Sequence, residues 1–175
     1  MKKNLLVILM MLLSFGAFGQ QRYDTDFTQT KVMKLSGKTT EKAGHLTFDG
    51  VDQLTMNYTE PEGDYFIIEG NQVKINMDGK KAELDADKVK LIQLQRSTLL
   101  NCISGNWKQA AIDNNAESNV SYEGDFQTIT LTVKGKVPRG GYASVELKYR
   151  VSDGVLVRMV LEEAVGAINT YEMAL

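Results

Sequence analysis

The sequence has few of the residues that carry enzyme chemistry. Its 175 residues include one histidine, His45, and one cysteine, Cys102. A general base or a nucleophile needs a second group that orients or activates it, and the sequence pairs neither residue with one. His45 shares strand parity with Thr47, so we predict that it faces solvent. Cys102 lies in an apolar helical pattern, so we predict a small buried side chain. The sequence therefore predicts that the protein is not an enzyme.

The sequence also lacks a second long apolar run. The first run, residues 5–15, follows two lysines and precedes the small-x-small sequence Ala17-Phe18-Gly19. These three features are typical of a secretory signal, and the run is shorter than the roughly 20 residues of a membrane-spanning helix. We predict a signal peptide over residues 1–19, cleaved near Gly19, and a single domain over residues 20–175.

An excess of positive charge is absent as well. Cleavage after Gly19 reduces the 20 basic residues to 18 against 22 acidic ones, which gives a net charge of −4. The basic residues are scattered along the predicted strands. Nucleic acids and anionic membrane surfaces attract clustered positive charge, so neither is predicted as a partner.

No stretch of the sequence has the spacing of a metal or cofactor site. Glu83, Asp85 and Asp87 lack the spacing and the glycine of a calcium-binding loop, so we interpret them as helix-capping charges. Gly140-Gly141 indicates a bend, since no phosphate-binding fingerprint accompanies it. Adjacent Glu162 and Glu163 point to opposite faces of a strand and cannot act as a catalytic pair. No metal and no cofactor are predicted.

What the sequence does contain is a repeated alternation of apolar and polar residues. This period of two is typical of antiparallel strands with one solvated face. Gly-containing turn sequences separate the runs. The sequence predicts an α+β fold that is mainly antiparallel β, with these apolar sets on one face: Leu46 and Phe48; Leu54, Met56 and Tyr58; Val73, Ile75 and Met77; Ile129, Leu131 and Val133; Val145, Leu147, Tyr149 and Val151; Val155, Val157, Met159 and Leu161.

One segment, "LDADKVKLIQLQRSTLLNCISGNW", has helical periodicity instead. Asp85 or Asp87 is predicted to cap the start of the helix, and Gly105 to end it. Its broad apolar stripe predicts that the helix lies across the apolar face of the sheet. The pairing of residues 114–122 and a second short helix at 107–112 are left open by the pattern.

Methionines and aromatic residues are spread over several of the predicted strands. A packed core and a cavity wall both accommodate such residues. Methionine is pliable and suits a surface that receives variable apolar ligands. The methionines in question are Met33, Met56, Met77, Met159 and Met173.

The order of these segments resembles a known family. The segments are "DFTQTKV", "AGHLTFDGVDQLTMNYTEP", "IEGNQVKINMDGKK", "STLLNCISGNW" and "SDGVLVRMVLEEAVGAINTYEMAL", which together cover most of residues 20–175. In this order they resemble a divergent member of the periplasmic outer-membrane lipoprotein carrier (LolA-like) family. The resemblance implies an incomplete, half-open β-barrel covered by a helical lid, as in LolA and LolB.

The resemblance also implies a function. Members of the family hold lipoprotein acyl chains in a hydrophobic cavity and transfer them through the periplasm from the inner to the outer membrane. Implied partners are the acyl chains or another lipid, an inner-membrane ABC transporter and an outer-membrane receptor, with a monomeric carrier. The alternative is a non-enzymatic interaction or sensing domain of the same fold, which would have a packed interior.

Site residues follow from the resemblance by matched position. Those of the lipid-binding cavity are Leu46, Phe48, Leu54, Met56, Tyr58, Ile75 and Met77, and those of the lid are Leu99, Leu100 and Ile103. Packing of these side chains against one another in a closed core is the alternative interpretation.

Two features depart from the family pattern. Only residues 20–26 separate the predicted cleavage site from Phe27, so the N-terminal helix that usually forms part of the lid is not expected. The basic residue that precedes a proline in the family is replaced by Asp49-Gly50-Val51, so a latch between that position and the lid is not expected either.

Overall fold

The computed structural model describes residues 21–174, which form strands and two helices. The predicted signal peptide, residues 1–19, lies outside the described residues. The helices are α1 (Lys90–Ile103) and α2 (Trp107–Asp113). The strands are β1 (Tyr23–Met33), β2 (Thr39–Phe48), β3 (Gln53–Glu60), β4 (Glu62–Glu69), β5 (Gln72–Met77), β6 (Lys80–Asp85), β7 (Ala116–Glu123), β8 (Phe126–Val133), β9 (Tyr142–Arg150), β10 (Leu156–Glu163) and β11 (Ala167–Met173).

All eleven strands belong to one antiparallel sheet. Their order is β6-β5-β4-β3-β2-β1-β11-β10-β9-β8-β7, so the first and last strands of the chain pair at its centre. The edge strands β6 and β7 do not pair with each other, and the sheet remains open. The predicted fold class, a mainly antiparallel and incomplete barrel with helices, is confirmed.

Short turns connect most of the strands, as the glycine-containing sequences predicted. Asp78 and Gly79 join β5 to β6 and both have positive φ, 52° and 77°. This conformation at both central residues is that of a type I′ turn, whose twist matches that of the flanking strands. The hairpin register follows from this turn and from the alternation of the strands.

A single apolar core lies between the sheet and α1. We call the side of the sheet that packs against α1 its inner face. Buried residues of β4 and β8, such as Ile68 and Ile129, belong to the same core cluster as Leu99, Cys102 and Ile103 of α1. Strands that lie far apart in the sheet therefore contact one core, which requires the sheet to curl around the helix. The predicted position of the helix is confirmed.

The predicted start of this helix is wrong. Val89 precedes the first helical residue and makes no side-chain capping bond. Asp85 belongs to β6, and its carboxylate forms an ion pair with Lys88 and accepts the backbone N–H of Asp87. The Asp87 carboxylate, the other predicted cap, accepts a hydrogen bond from the side-chain amide of Asn71, so local contacts use both carboxylates. The end is as predicted, because Gly105 has a φ of 82°, which suits glycine.

The two open questions of the helical region are resolved by the structure. Residues 107–113 form α2, and β7 pairs with β8 in a regular ladder from Ala116 opposite Val133 to Glu123 opposite Phe126. The N-terminal strand β1 begins at Tyr23, so no helix precedes it within the described residues. No helix among residues 21–174 has the length and apolar character needed to cross a membrane.

Candidate functional site

A cavity of about 350 Å³ opens on the inner face of the sheet beside α1. Strands β1 to β5 form one wall, β9 to β11 form the other, and α1 closes one end. Its lining is mainly methionine, aromatic and leucine side chains at the closed end and mainly polar side chains at the open end. The lining residues are Gln29, Lys31, Met33, Lys38, Thr40, Lys42, Leu54, Met56, Tyr58, Phe66, Met77, Asp78, Leu99, Ile103, Tyr142, Met159, Leu161 and Tyr171.

The structure brings six of the ten residues of the predicted site to this cavity. They are Leu54, Met56, Tyr58, Met77, Leu99 and Ile103. The other four do not line it: Leu46, Phe48 and Leu100 are buried in the core, and Ile75 is half-buried against it. Position along the strands does not separate the two sets, because Leu46 is paired with Met56 and Phe48 with Leu54. Contact of any of the ten with a ligand stays a prediction.

Methionine is concentrated at the cavity. Of the five methionines that the sequence analysis singled out, Met33, Met56, Met77 and Met159 line it, whereas Met173 is buried in the core. They come from four different strands. An unbranched side chain with three rotatable bonds can fill such a space or withdraw from it at low cost.

A hydrogen-bonded polar cluster is built into the middle of the inner face. The amide nitrogen of Gln29 donates to Asn169 Oδ1 and to the Tyr171 hydroxyl, each at 3.1 Å. The Tyr58 hydroxyl donates to Gln29 Oε1 at 2.8 Å. Satisfied in this way, the cluster can remain buried without the penalty of unpaired polar atoms. It joins β3 to β1 and β11 across the cavity wall.

Lys42 occupies the boundary between the polar cluster and the open end. Its ammonium contacts Asp64 at 2.6 Å and Asp78 at 3.1 Å, and it lies 5.6 Å from the centre of the Tyr58 ring. Burial disfavours the charged ammonium, but the hydrogen bonds to the two carboxylates outweigh it, so the pKa of Lys42 is raised. The side chain is therefore a fixed cation whose charge is matched locally.

The phenols of this region remain protonated. Burial is the main cause that raises the pKa of Tyr171 to about 12, and burial likewise raises the pKa of Tyr58 and Tyr142. Burial also raises the pKa of the Cys102 thiol to about 12, and its side chain has no exposed surface. A thiol of this kind is inert, and the prediction of a small buried side chain is confirmed. Among residues 21–174, no three His, Cys, Asp or Glu side chains are grouped to hold a metal ion.

Side chains of α1 tie the helix to both halves of the sheet. Arg96 donates to the carbonyl of Gly70 in the β4–β5 turn, and Gln95 donates to the carbonyl of Gly140 in the β8–β9 loop. Near the end of the helix, the Tyr149 hydroxyl of β9 donates to the carbonyl of Cys102 at 2.6 Å. The helix thus spans the curled sheet and is held to it by only a few polar contacts in addition to its apolar face.

His45 lies on the opposite, outer face of the sheet, as predicted. Its ring contacts two carboxylates of β1, with Nε2 2.7 Å from Asp24 and Nδ1 2.8 Å from Asp26. The sequence analysis found no partner for it because the pairing of β1 with β2 brings together residues about 20 positions apart. The hydrogen bond to Asp26, followed by that to Asp24, raises the pKa of His45.

We expect this histidine to make stability depend on pH. Because the folded pKa is raised, its contribution is fully present below the unfolded value of about 6.5 and is lost as the pH rises through the folded value. The stability difference between the wild type and His45→Gln should therefore be larger at pH 6 than at pH 9. Urea denaturation of both proteins across this range measures it, and a constant difference would contradict it. The effect should be small, since the groups are exposed.

The polar residues of the open end were missed by sequence reasoning, which had singled out only Met33 there. Gln29, Lys31 and Met33 continue the inward parity of Phe27 along β1, and Thr40 and Lys42 do so along β2. Along each of these strands the inward-facing residues change from apolar to polar, and the period-two pattern then no longer identifies that face as the inner one. The signal that could have found them is the strand parity: every second residue after the last apolar inward residue of the strand still faces inward.

The sequence matches the family described as outer membrane lipoprotein carrier protein LolA over residues 19–174. The chain belongs to the LolA family. This confirms the resemblance that the ordered segments suggested, and it assigns the open sheet and the helices to a LolA-like fold. None of the curated protein sequences is significantly similar to this LolA-family chain.

Solved structures similar to this LolA-family chain have low sequence identity. A LolA superfamily protein from Nitrosomonas europaea is 12% identical, with 89% of this chain and 85% of that chain covered and a TM-score of 0.41. The lipoprotein LppX from Mycobacterium tuberculosis is 11% identical, with 99% and 95% covered and a TM-score of 0.37. A chain in the structure of the CwlD amidase from Clostridioides difficile in complex with the GerS lipoprotein is 13% identical, with 95% of this chain and 89% of that chain covered and a TM-score of 0.42. The family assignment therefore rests on the sequence match.

Proposed function

We propose that this chain is a periplasmic carrier that binds lipoprotein acyl chains, or those of a related lipid, in the cavity and transfers them from the inner to the outer membrane. The observation that carries the proposal is the cavity itself, about 350 Å³ in volume with four methionines in its wall. Ligand pockets span roughly 300–1,000 Å³, and this one is of a size to take up a narrow apolar group. Family membership supports the same function.

The mechanism requires binding and release without covalent chemistry. Each buried CH₂ of an acyl chain contributes about 0.8 kcal/mol, so a single long chain provides a large driving force. Release requires that the emptied cavity can close or fill, which the flexible methionine side chains allow. The helix α1 is the element that would move, since its polar contacts to the sheet through Arg96, Gln95 and Cys102 are few. An inner-membrane ABC transporter and an outer-membrane receptor are the proposed partners.

Titration with a fluorescent apolar probe tests the proposal. Delipidated protein should take up the probe with saturation, and a triacylated lipoprotein N-terminal peptide should displace it. The same peptide without acyl chains is the control and should not compete. Displacement by phospholipid but not by the acylated peptide would replace lipoprotein with another lipid as the cargo.

The absence of probe uptake would favour the second candidate function, a non-enzymatic interaction domain. The edge strand β7 favours this candidate, because its residues after Ala116 are exposed, including Tyr122 at 68%. An edge strand presents unpaired backbone groups to which an extended segment of another protein can add. The probe experiment therefore separates a hollow carrier from a module that binds protein along an edge.

A further inference from the structure

The open end of the cavity has a different chemistry from its closed end. On the inner face of the β1–β2 hairpin, Gln29 is paired with Lys42 and Lys31 with Thr40, and the backbone N–H of Met33 donates to the carbonyl of Lys38. All six of these residues line the cavity. Three lysines thus lie within a few residues of one another on one wall, in a protein whose overall charge is negative.

Within the described part of the chain, two of these three lysines lack a carboxylate partner. Lys42 is neutralised by Asp64 and Asp78, whereas neither Lys31 nor Lys38 lies within 4.0 Å of a carboxylate among residues 21–174. Asp78 is the one acidic residue of the lining, and Lys42 already contacts it. Within residues 21–174, no contacting carboxylate therefore matches the charges of Lys31 and Lys38, although the Glu163 carboxylate lies near enough to Tyr142 and Tyr171 to add to burial in raising the pKa of both phenols.

The remaining polar groups of the cavity also favour an anion. Within the described residues, the Tyr142 hydroxyl makes no hydrogen bond, whereas the Tyr171 hydroxyl accepts one from Gln29 and is also hydrogen-bonded with the Tyr58 hydroxyl. The acceptor oxygen of Gln29 is already engaged by Tyr58. The lining thus offers free donors and few free acceptors, and a carboxylate or phosphate group is acceptor-rich.

From this arrangement, and resting on the proposed function, we infer that the preferred ligand is an amphiphile with an anionic headgroup. The apolar chain lies along Met56, Met159 and Leu99, and the headgroup lies at the open end against Lys31 and Lys38. The headgroup is a carboxylate or a phosphate, since both present oxygen acceptors to ammonium and phenol donors. Lys31 and Lys38 therefore discriminate by headgroup between amphiphiles that have the same apolar chain.

Matched twelve-carbon ligands test this inference. Laurate, dodecyl phosphate, dodecanol and dodecyltrimethylammonium should each compete with the apolar probe in the whole protein, and at least one of the two anions should bind about tenfold more tightly than dodecanol. The tighter of the two anions identifies the headgroup. Raising the salt concentration should reduce the preference for the anion, because exposed charges are screened.

Lysine variants provide the second readout. The double variant Lys31→Gln with Lys38→Gln should bind the anion only as tightly as dodecanol, and its affinity for dodecanol should be unchanged. Lys108→Gln with Lys136→Gln removes the same charge at exposed positions away from the cavity and should behave as the wild type.

The outcomes separate this inference from the proposed function. Equal affinity for dodecanol and both anions, or an anion preference that survives in the Lys31 and Lys38 variant, would overturn the inference and leave apolar carriage intact. Uptake of the acylated peptide with no binding of either anion would do the same. If none of the ligands binds, both the inference and the proposed function fail.

Discussion

Replacing Met56 by glutamate is expected to weaken uptake of an apolar probe roughly 100-fold. Met56 is buried in the cavity wall between Leu54 and Tyr58 of the same strand. A ligand that covers the new carboxyl group strips it of water without offering a partner, which costs about 2 to 3 kcal/mol. Fluorescence titration of the delipidated variant measures the loss. Met56→Leu nearly conserves volume and apolar character, so it should bind as the wild type does.

A buried glutamate can also unfold the protein, so a second variant is needed. Met77 lines the same cavity at the end of β5 and is only half-buried, so the sheet tolerates a charge there. Met77→Glu should keep the wild-type far-ultraviolet circular dichroism and still weaken uptake by at least about tenfold. Wild-type affinity in folded Met56→Glu and Met77→Glu would show that the probe binds elsewhere.

The largest effect on stability is expected at Gly44. This residue of β2 lies directly between Phe27 of β1 and Tyr58 of β3, whose rings meet edge to face with centroids 5.3 Å apart. A Cβ atom at Gly44 would lie 2.9 Å from two atoms of the Phe27 ring and would also clash with the backbone carbonyl of Asn57. The absent side chain is therefore what lets the two rings meet across the middle strand.

Gly44→Ala should lower the free energy of unfolding by about 3 kcal/mol, the upper part of the range for overpacked cores. Chemical denaturation measures the change. Gly124→Ala is the matched control, because it forces a positive φ of 56° on alanine with nothing within 4 Å, and it should cost only about 1 kcal/mol. Phe27→Leu in the Gly44→Ala background should restore part of the loss. A Gly44→Ala variant no less stable than the control would contradict the clash.

Most of the apolar strand faces were accessible from sequence, because alternation is a local property. The prediction is wrong at the start of β10, where a register shift between Leu156 and Arg158 buries Leu156 and not Val155 or Val157. Leu54, Met56 and Tyr58 on β3 repeat with a period of two, and a strand with this pattern has one apolar face wherever it lies. The same holds for the end of α1 at Gly105, since a left-handed glycine terminates a helix locally. These features need no knowledge of which strands are neighbours.

The cavity depended on information that is not local. Whether an inward side chain such as Phe48 packs in the core or Met77 lines a cavity depends on how the curled sheet and α1 pack together, which no local pattern encodes. The polar inner face of Gln29 and Lys31 was missed because burial there depends on strands β10 and β11, far along the chain. Asp85 failed as a cap because Lys88 and the N–H of Asp87 compete for its carboxylate.

The position of β1 and β11 at the centre of the sheet has a consequence for folding order. Strands β2 to β6 and β7 to β10 are each joined to their neighbours along the chain, so each half can assemble from local contacts. The seam between the halves pairs Phe27 with Met173, residues at nearly opposite ends of the described chain. Contacts of such separation form slowly, because the entropy of closing the loop opposes them. The sheet therefore becomes continuous only once its last strand is available, and a chain that stops before β11 would leave two half-sheets with exposed edges.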